Sequence, residues 1–459
     1  MAGFNHLPNE IILGILEIVL PQDLENFAQT SKRVFPLAQP FLEHHRQLIR
    51  LYSTTFKSNQ LRRDDAFWFA PIPSLLVKIR NEPRIGHYVR EVELEYSGPI
   101  RRNYLYHDDR EDYGKQRNLV DAVIAQSNVP NLQSFYDLNE RFCFKSYESY
   151  EEFLVAFFLL LLPNLNRLSL PWNPYRGYFA DMIRQSALEG NCWLTNLTTV
   201  RVKGGFVHKN LGIRDLSLFS SLPALQSLMA SNALDHGLTI DDFVPTPDSH
   251  TKKLELYSSY FTRITIYWYI QSFQSLQTFS LSFHDYYDRR IKRQFDPNMV
   301  RAALLAHAKT TLQSLTITTG GRPSPHTFMG SLQQFEALQK VRTQWTILFP
   351  RDSCLETRPS QILPASIREL QLDDNSGYGD GEVYGRLCHG LLCAKEKTCL
   401  HLDLVEIYYW DEGLVAEYRD LLRGFCRELG MSVAFPKRAQ TWEWQAGPNV
   451  MSLTFTEKT

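Results

Sequence analysis

Leu312-Gln313-Ser314-Leu315-Thr316-Ile317 is the stretch on which the fold turns. Leu315 and Ile317 stand one residue apart. In an extended strand they point to one side, while Ser314 and Thr316 point to the other. Leu312 supplies a third apolar anchor just ahead. The phrase recurs at Leu165-Asn166-Arg167-Leu168-Ser169-Leu170, Leu197-Thr198-Thr199-Val200-Arg201-Val202, Leu225-Gln226-Ser227-Leu228, Leu276-Gln277-Thr278-Phe279-Ser280-Leu281 and Ile367-Arg368-Glu369-Leu370-Gln371-Leu372. Weaker copies centre on Val92, Phe135, Leu254, Val341, Leu402 and Val433. From Phe135 onward the centres lie about 25–36 residues apart, enough for a strand and a helical return. One such unit cannot cover its own apolar face, but stacked neighbours can. The pattern predicts an α/β solenoid over residues 89–435. A doubly wound α/β sheet also alternates strand and helix. It fits less well, because no dinucleotide glycine fingerprint and no continuous Val/Ile strands occur.

Composition narrows the function classes. The chain has 459 residues, 44% of them hydrophobic, with formal net charge −1. Length alone suggests about three domains, whereas the repeats favour one elongated one. Balanced charge argues against nucleic-acid or membrane-surface partners recruited by bulk charge, so neither is expected. Seven cysteines without paired spacing read as reduced thiols, and a cytoplasmic and/or nuclear location follows as an expectation. The apolar run Phe153 to Leu162 falls short of the ~18 residues a membrane span needs and reads as a buried helix ended by Pro163.

The first forty residues follow a different rule. Pro8 suits a first helical turn, and Glu10 suits the positive end of the helix dipole. Leu7, Ile11, Ile15 and Val19 form one apolar row, with Ile12, Leu16 and Leu20 beside it. Pro21 stops this helix. Asp23 is expected to cap a second helix carrying Leu24, Phe27 and Ala28, and Ser31 a third carrying Val34, Leu37, Ala38 and Phe41. Helical segments are expected again at 41–57 and 72–82. Three short helices are marginal by themselves. Their surplus apolar surface either seals the end of the larger domain or meets another protein.

The ordered series Leu7-Pro8-Asn9-Glu10-Ile11-Ile12, Ile15-Leu16, Asp23-Leu24, Thr30-Ser31-Lys32-Arg33-Val34-Phe35 and Leu37-Ala38-Gln39-Pro40 resembles an F-box, in the form found in many fungal F-box proteins. Many F-boxes place Trp after the Lys-Arg pair; Val34-Phe35 stands there and keeps an aromatic. The stretch Arg80 to Val92 is similar to the junction that leads into the first strand in such proteins. The later phrase resembles divergent leucine-rich repeats. The resemblance implies an N-terminal three-helix F-box at 1–50, a helical linker at 51–88, a leucine-rich-repeat-like α/β solenoid or horseshoe at 89–435 and a tail at 436–459. It further implies the substrate-recognition subunit of an SCF-type cullin-RING ubiquitin ligase, with no enzyme activity of its own. A Skp-type adaptor would meet Leu7, Pro8, Ile11, Ile12, Ile15, Leu16 and Leu24. An F-box scaffold acting outside the ligase is the neighbouring alternative, and an enzyme with a site in the repeat groove a more distant one.

Residues that carry chemistry are sparse, and no catalytic, cofactor-binding or metal role is expected. Cys388-His389, Cys393, Cys399 and His401 crowd soft ligands together, but cysteines on such segments are more often small core residues. Asp373, Asn375, Gly377, Asp380 and Glu382 miss the calcium-loop spacing. Strand parity puts Glu91, Glu93 and Glu95, Arg167 and Ser169, Arg201 and Lys203, Lys340 and Arg342, and Glu369, Gln371 and Asp373 on the outward, concave face. Charge therefore changes sign along it, which would favour one partner peptide over another. Aromatics gather just after strands: Trp172, Tyr175 and Tyr178, then Tyr257 and Tyr260, Tyr286 and Tyr287, Trp345, Tyr378, and Tyr408, Tyr409 and Trp410. They either anchor a partner or plug gaps between loops. A protein substrate is expected at Trp172, Tyr175, Arg201, Lys203, Tyr257, Tyr287, Arg342 and Tyr409. The Arg- and Tyr-rich insertion from Gly98 to Asn118 is expected to be a mobile loop.

Overall fold

The computed structural model describes residues 6–57, 71–94, 110–127, 129, 132–143, 147–172, 178–188, 193–204, 211–234, 249–283, 296–319, 328–349, 359–373, 390, 399, 401–408, 419–420, 423–424 and 426–435. The chain is α/β, with parallel strands and intervening helices. It divides into two compact units, residues 1–199 (with 447–449) and the remainder from Val200.

The first unit opens with helices α1 (Asn9–Ile18), α2 (Leu24–Ala28) and α3 (Val34–Tyr52). Ile12 and Leu16 of α1 pack with Leu24, Ala28, Val34, Ala38 and Leu42, a complete small core with every member nearly inaccessible. Pro8 stands at the N-cap of α1 and Asp23 at that of α2, though the Asp23 side chain makes no capping hydrogen bond. Ser31 does not cap the third helix; that position belongs to Arg33, whose N–H donates to Ser31 Oγ at 3.1 Å. Instead of a short third helix and a separate segment from 41, one helix of 19 residues runs through.

Strand β1 (Phe56–Lys57), helices α4 (Pro71–Asn81) and α5 (Ile85–Tyr88), and strand β2 (Glu91–Glu93) follow. Helices α6 (Arg110–Gln126), α7 (Leu132–Cys143) and α8 (Tyr147–Leu160) precede β3 (Arg167–Trp172), and α9 (Tyr178–Leu188) comes after it. The strands pair in chain order, Phe56 opposite Val92 and Val92 opposite Leu168. Phe153 to Leu162 is buried throughout, as an apolar run of that length should be. Three expectations are corrected. Phe135 is no strand centre: it lies in α7, with its ring 5.9 Å from those of Phe153 and Trp193. Residues 56–57 form a strand where a helix was expected. Residues 110–118 of the supposed loop belong to α6; the rest of that insertion lies outside the described residues.

The second unit carries β4 (Thr199–Gly204), which begins at the boundary, then α10 (Ile213–Ser220), β5 (Ser227–Ser231), β6 (Lys253–Tyr257), α11 (Arg263–Gln271), β7 (Thr278–Phe283) and α12 (Pro297–Ala308). After β8 (Ser314–Thr319) and β9 (Lys340–Gln344) come two single-turn helices, α13 (Trp345–Leu348) and α14 (Pro359–Ile362). Strands β10 (Glu369–Asp373), β11 (Leu404–Tyr408) and β12 (Ser432–Ala434) complete the series. The last-but-one copy centres on Val405 and Ile407, a step beyond Leu402. Helix α12 starts by the usual rules: Asp296 accepts from the N–H of Asn298 at 3.0 Å, and Pro297 fills the first position.

One carbonyl per repeat ties neighbours together. Lys252 O accepts the N–H groups of Gln277 and Thr278, Gln277 O those of Gln313 and Ser314, Gln313 O those of Gln339 and Lys340, and Gln339 O those of Arg368 and Glu369. These bonds fall in the short link just before each strand, which sets the register of the next. Inward residues such as Leu254, Phe279, Leu281, Leu315, Ile317, Leu370 and Leu372 are buried, so the other parity is left to face outward.

Candidate functional site

Two surfaces stand out, one in each unit. The first is on α1. Its core face is spent on Ile12 and Leu16, yet Ile11 is 51% exposed and Ile18 78%. Ile15, half-buried, lies between them at helical spacing, so Ile11, Ile15 and Ile18 share one face. Leu20 and Phe35 are exposed at 45% and 46%. Water gains nothing from such apolar side chains, which makes this helix face a candidate for cover by a partner. The helix is tied at its C-terminal end: Arg84 Nη2 donates to the carbonyl oxygens of Leu16 at 2.6 Å and Val19 at 3.2 Å, and to that of Glu17. At the other end Arg33 Nη2 donates to Asn9 Oδ1 at 2.7 Å.

The second surface is the polar strand face from β6 to β10, a groove of about 730 Å³. Strand register aligns Glu255, Ser280, Thr316, Arg342, Gln371 and Glu406 in one row. Arg342 sits with Asp373 Oδ2 3.6 Å from its Nε and its guanidinium 5.0 Å from the Tyr408 ring centroid. Asp373 is 1% exposed, and neither of its oxygens makes a hydrogen bond among the described residues; nor does Arg342 Nε. Lys253 Nζ stands 2.9 Å from Glu255 Oε2, and Lys340 Nζ 2.8 Å from Glu369 Oε1. Tyr257 and Tyr408 repeat one arrangement: each hydroxyl donates to the glutamate two residues back, Glu255 Oε1 at 2.9 Å and Glu406 Oε2 at 3.1 Å. Burial, then the charge and hydrogen bond of Glu255, push the Tyr257 hydroxyl up to about 12. Burial and the Glu406 bond raise Tyr408 in the same way. Both stay protonated donors at neutral pH.

No protein-family model matches the chain, and no curated protein sequence does.

The residues singled out in the sequence fall unevenly. Of the proposed adaptor contacts, Ile12, Leu16 and Leu24 are interior, at 0%, 0% and 1% exposure, and offer no surface in this fold. Leu7 and Ile15 are half-buried, and Pro8 and Ile11 exposed. Of the proposed substrate contacts, Trp172 is buried at 2%, its ring 6.4 Å from that of Phe179, so it is a core residue and not an anchor. Arg201 is exposed, Lys203 and Arg342 half-buried, and Tyr257 is 41% exposed. Arg342 and Tyr257 line the groove together. Tyr175, Tyr287 and Tyr409 lie outside the described residues, as do Tyr286, Tyr378 and Trp410. So do Glu95, Cys388, His389, Cys393, Asn375, Gly377, Asp380 and Glu382. Cys399 is fully buried, its thiol donating to Pro364 O at 3.7 Å, a packing role. Among the described residues no three His, Cys, Asp or Glu side chains are grouped to hold a metal, and no helix is long and apolar enough to cross a membrane.

Sequence reasoning did not single out Glu255, Ser280 or Glu406. Parity applied to the Leu254 and Phe279 copies, and to Val405 and Ile407 after Leu402, would have found them.

Proposed function

We propose that the chain is a substrate-recognition subunit of an SCF-type ubiquitin ligase. Its three N-terminal helices dock a Skp-type adaptor, and its second unit holds a protein to be modified. The observation that carries this reading is the bare isoleucine face of α1 above a core that is already complete. Ile11, Ile15 and Ile18 are not needed inside, and their presence outside fits selection for a partner. The resemblance of residues 7–40 to an F-box supplies the partner's identity. In this reading the chain contributes no reacting group; it raises the local concentration of substrate beside transferring machinery that others provide.

The test is capture of a purified Skp-type adaptor by the full chain. Replacing Ile11 and Ile18 with Asp should weaken capture by at least about tenfold each, since a buried isoleucine contributes about 1.5–3 kcal/mol. Both side chains are largely exposed, so the melting temperature should hold. Undiminished capture by the doubly substituted chain would refute the docking assignment.

A further inference from the structure

Three cations of the groove on the second unit, Lys253, Lys340 and Arg342, each pair with a carboxylate, yet the pairs do not meet solvent as a balanced surface. In each ion pair the cation is the exposed partner. Side-chain exposure is 40% for Lys253 against 11% for Glu255, 57% for Lys340 against 30% for Glu369, and 41% for Arg342 against 1% for Asp373. Glu255 and Asp373 lie underneath their cations, and Glu369 is the less exposed member of its pair. A ligand approaching this face meets positive charge, although the chain as a whole carries −1.

Arg342 is the centre of this arrangement. Asp373 and the Tyr408 ring fix its guanidinium from two sides, with Nε buried on the Asp373 side and the side chain as a whole 41% exposed. A planar, positioned guanidinium fork that still reaches solvent matches a carboxylate. Thr316, half-buried, stands beside it in the next strand, and Ser280, buried, lies one strand further, at about 4.8 Å intervals along the row. Tyr257, 41% exposed, gives the row an aromatic end. Five strands at that spacing span roughly 19 Å, the length of about six extended residues.

We propose that this groove binds an extended acidic peptide segment, with an Asp or Glu side chain seated on Arg342. The proposal rests on reading the second unit as the part that holds a protein, and it names the class of segment held. A basic segment is disfavoured, because it would meet the exposed lysines before reaching Glu255 or Asp373.

The test uses the full chain and three labelled, end-blocked Gly-Ser peptides that differ only in carrying three Glu, three Gln or three Lys. Fluorescence anisotropy at low salt should show the Glu peptide binding at least about tenfold more tightly than the Gln peptide, and the Lys peptide weakest. Arg342→Ala should bring the Glu peptide down to the Gln level, with Arg342→Lys intermediate because charge remains without the fork. Added salt should weaken the Glu peptide selectively. Equal binding of Glu and Gln peptides, preference for Lys, or an unaffected Arg342→Ala would each overturn the proposal. If Arg342→Ala fails to fold, the three-peptide comparison on the unaltered chain still decides. Adaptor capture is read separately. Lost discrimination with capture intact refutes only the groove assignment; lost capture with discrimination intact refutes only the ligase reading.

Discussion

Two glycines in the first unit show how little sequence says about one residue's surroundings. A Cβ on Gly86, in α5, would run into the carbonyl oxygen of Leu161 at the end of α8. That neighbour is backbone and cannot swing away. Gly86→Ala should therefore destabilise the unit by about 1–3 kcal/mol, the usual range for overpacking. Gly14, inside α1, has nothing within 4 Å of the equivalent position. Gly14→Ala should stabilise by about 0.5–1 kcal/mol through helix propensity alone. Chemical denaturation of the two variants reads both signs, and matching signs would show that the close approach is not what governs Gly86. Trp172 carries the legibility lesson at this scale. Leu168, Leu170 and Trp172 alternate, so period two alone assigns the tryptophan to the buried row. Reading it as the first residue of a loop broke that period one step early. Asp373 shows the opposite limit. Parity correctly sets it on the outward face, but nothing in the sequence says that Arg342 and Tyr408 will close over it.

At the level of elements, α1 depends on a side chain more than sixty residues away. Arg84 occupies carbonyl groups of its last turn, which no intrahelical donor can reach. Arg84→Ala should cost the first unit about 1.5–3 kcal/mol, the range for hydrogen bonds from a charged donor, and lower its melting temperature. An unchanged melting temperature would mean that water replaces the guanidinium at no loss. Helix α3 is pinned differently, by His45 Nδ1 and the Tyr88 hydroxyl of α5, 2.7 Å apart and buried. Burial lowers the affinity of His45 for a proton, and the neighbouring Arg46 and Arg84 lower it further while Glu25 opposes them. His87 is lowered too, by burial and then Arg84. In both cases the unfolded chain takes up the proton first. Their contribution is fully present above the unfolded value of about 6.5 and is lost as pH falls below it. Thermal unfolding between about pH 7.5 and 5 should show this loss, and His45→Gln, which cannot be protonated, should flatten part of it. These couplings were illegible beforehand. Helix starts such as Pro8 and Asp23 are local in sequence, whereas Arg84 and Tyr88 act across distance that periodicity does not encode.

For the whole chain, the phrase built on Leu315 and Ile317 located nearly every strand, because apolar-x-apolar spacing directly reports a buried strand face. Failures came where that spacing arose for another reason. Phe135 is apolar because α7 packs it against Phe153 and Trp193, and a helix face and a strand face look alike over three residues. Strand β1 is two residues long and leaves no period to detect. The candidate groove was half legible. Arg342, Tyr257 and the alternation of charge were readable, while the depth of the acids beneath the cations depended on packing.

The shared carbonyls of the second unit have a dynamic corollary. Two successive amides that lean on one oxygen lose their protection in the same opening event. Gln339 with Lys340, and Arg368 with Glu369, should consequently trade hydrogen for deuterium as couples, at matched rates, although each pair lies in a different link of the chain. Such twinned exchange would distinguish separation at the seams between repeats from wear inside any single one.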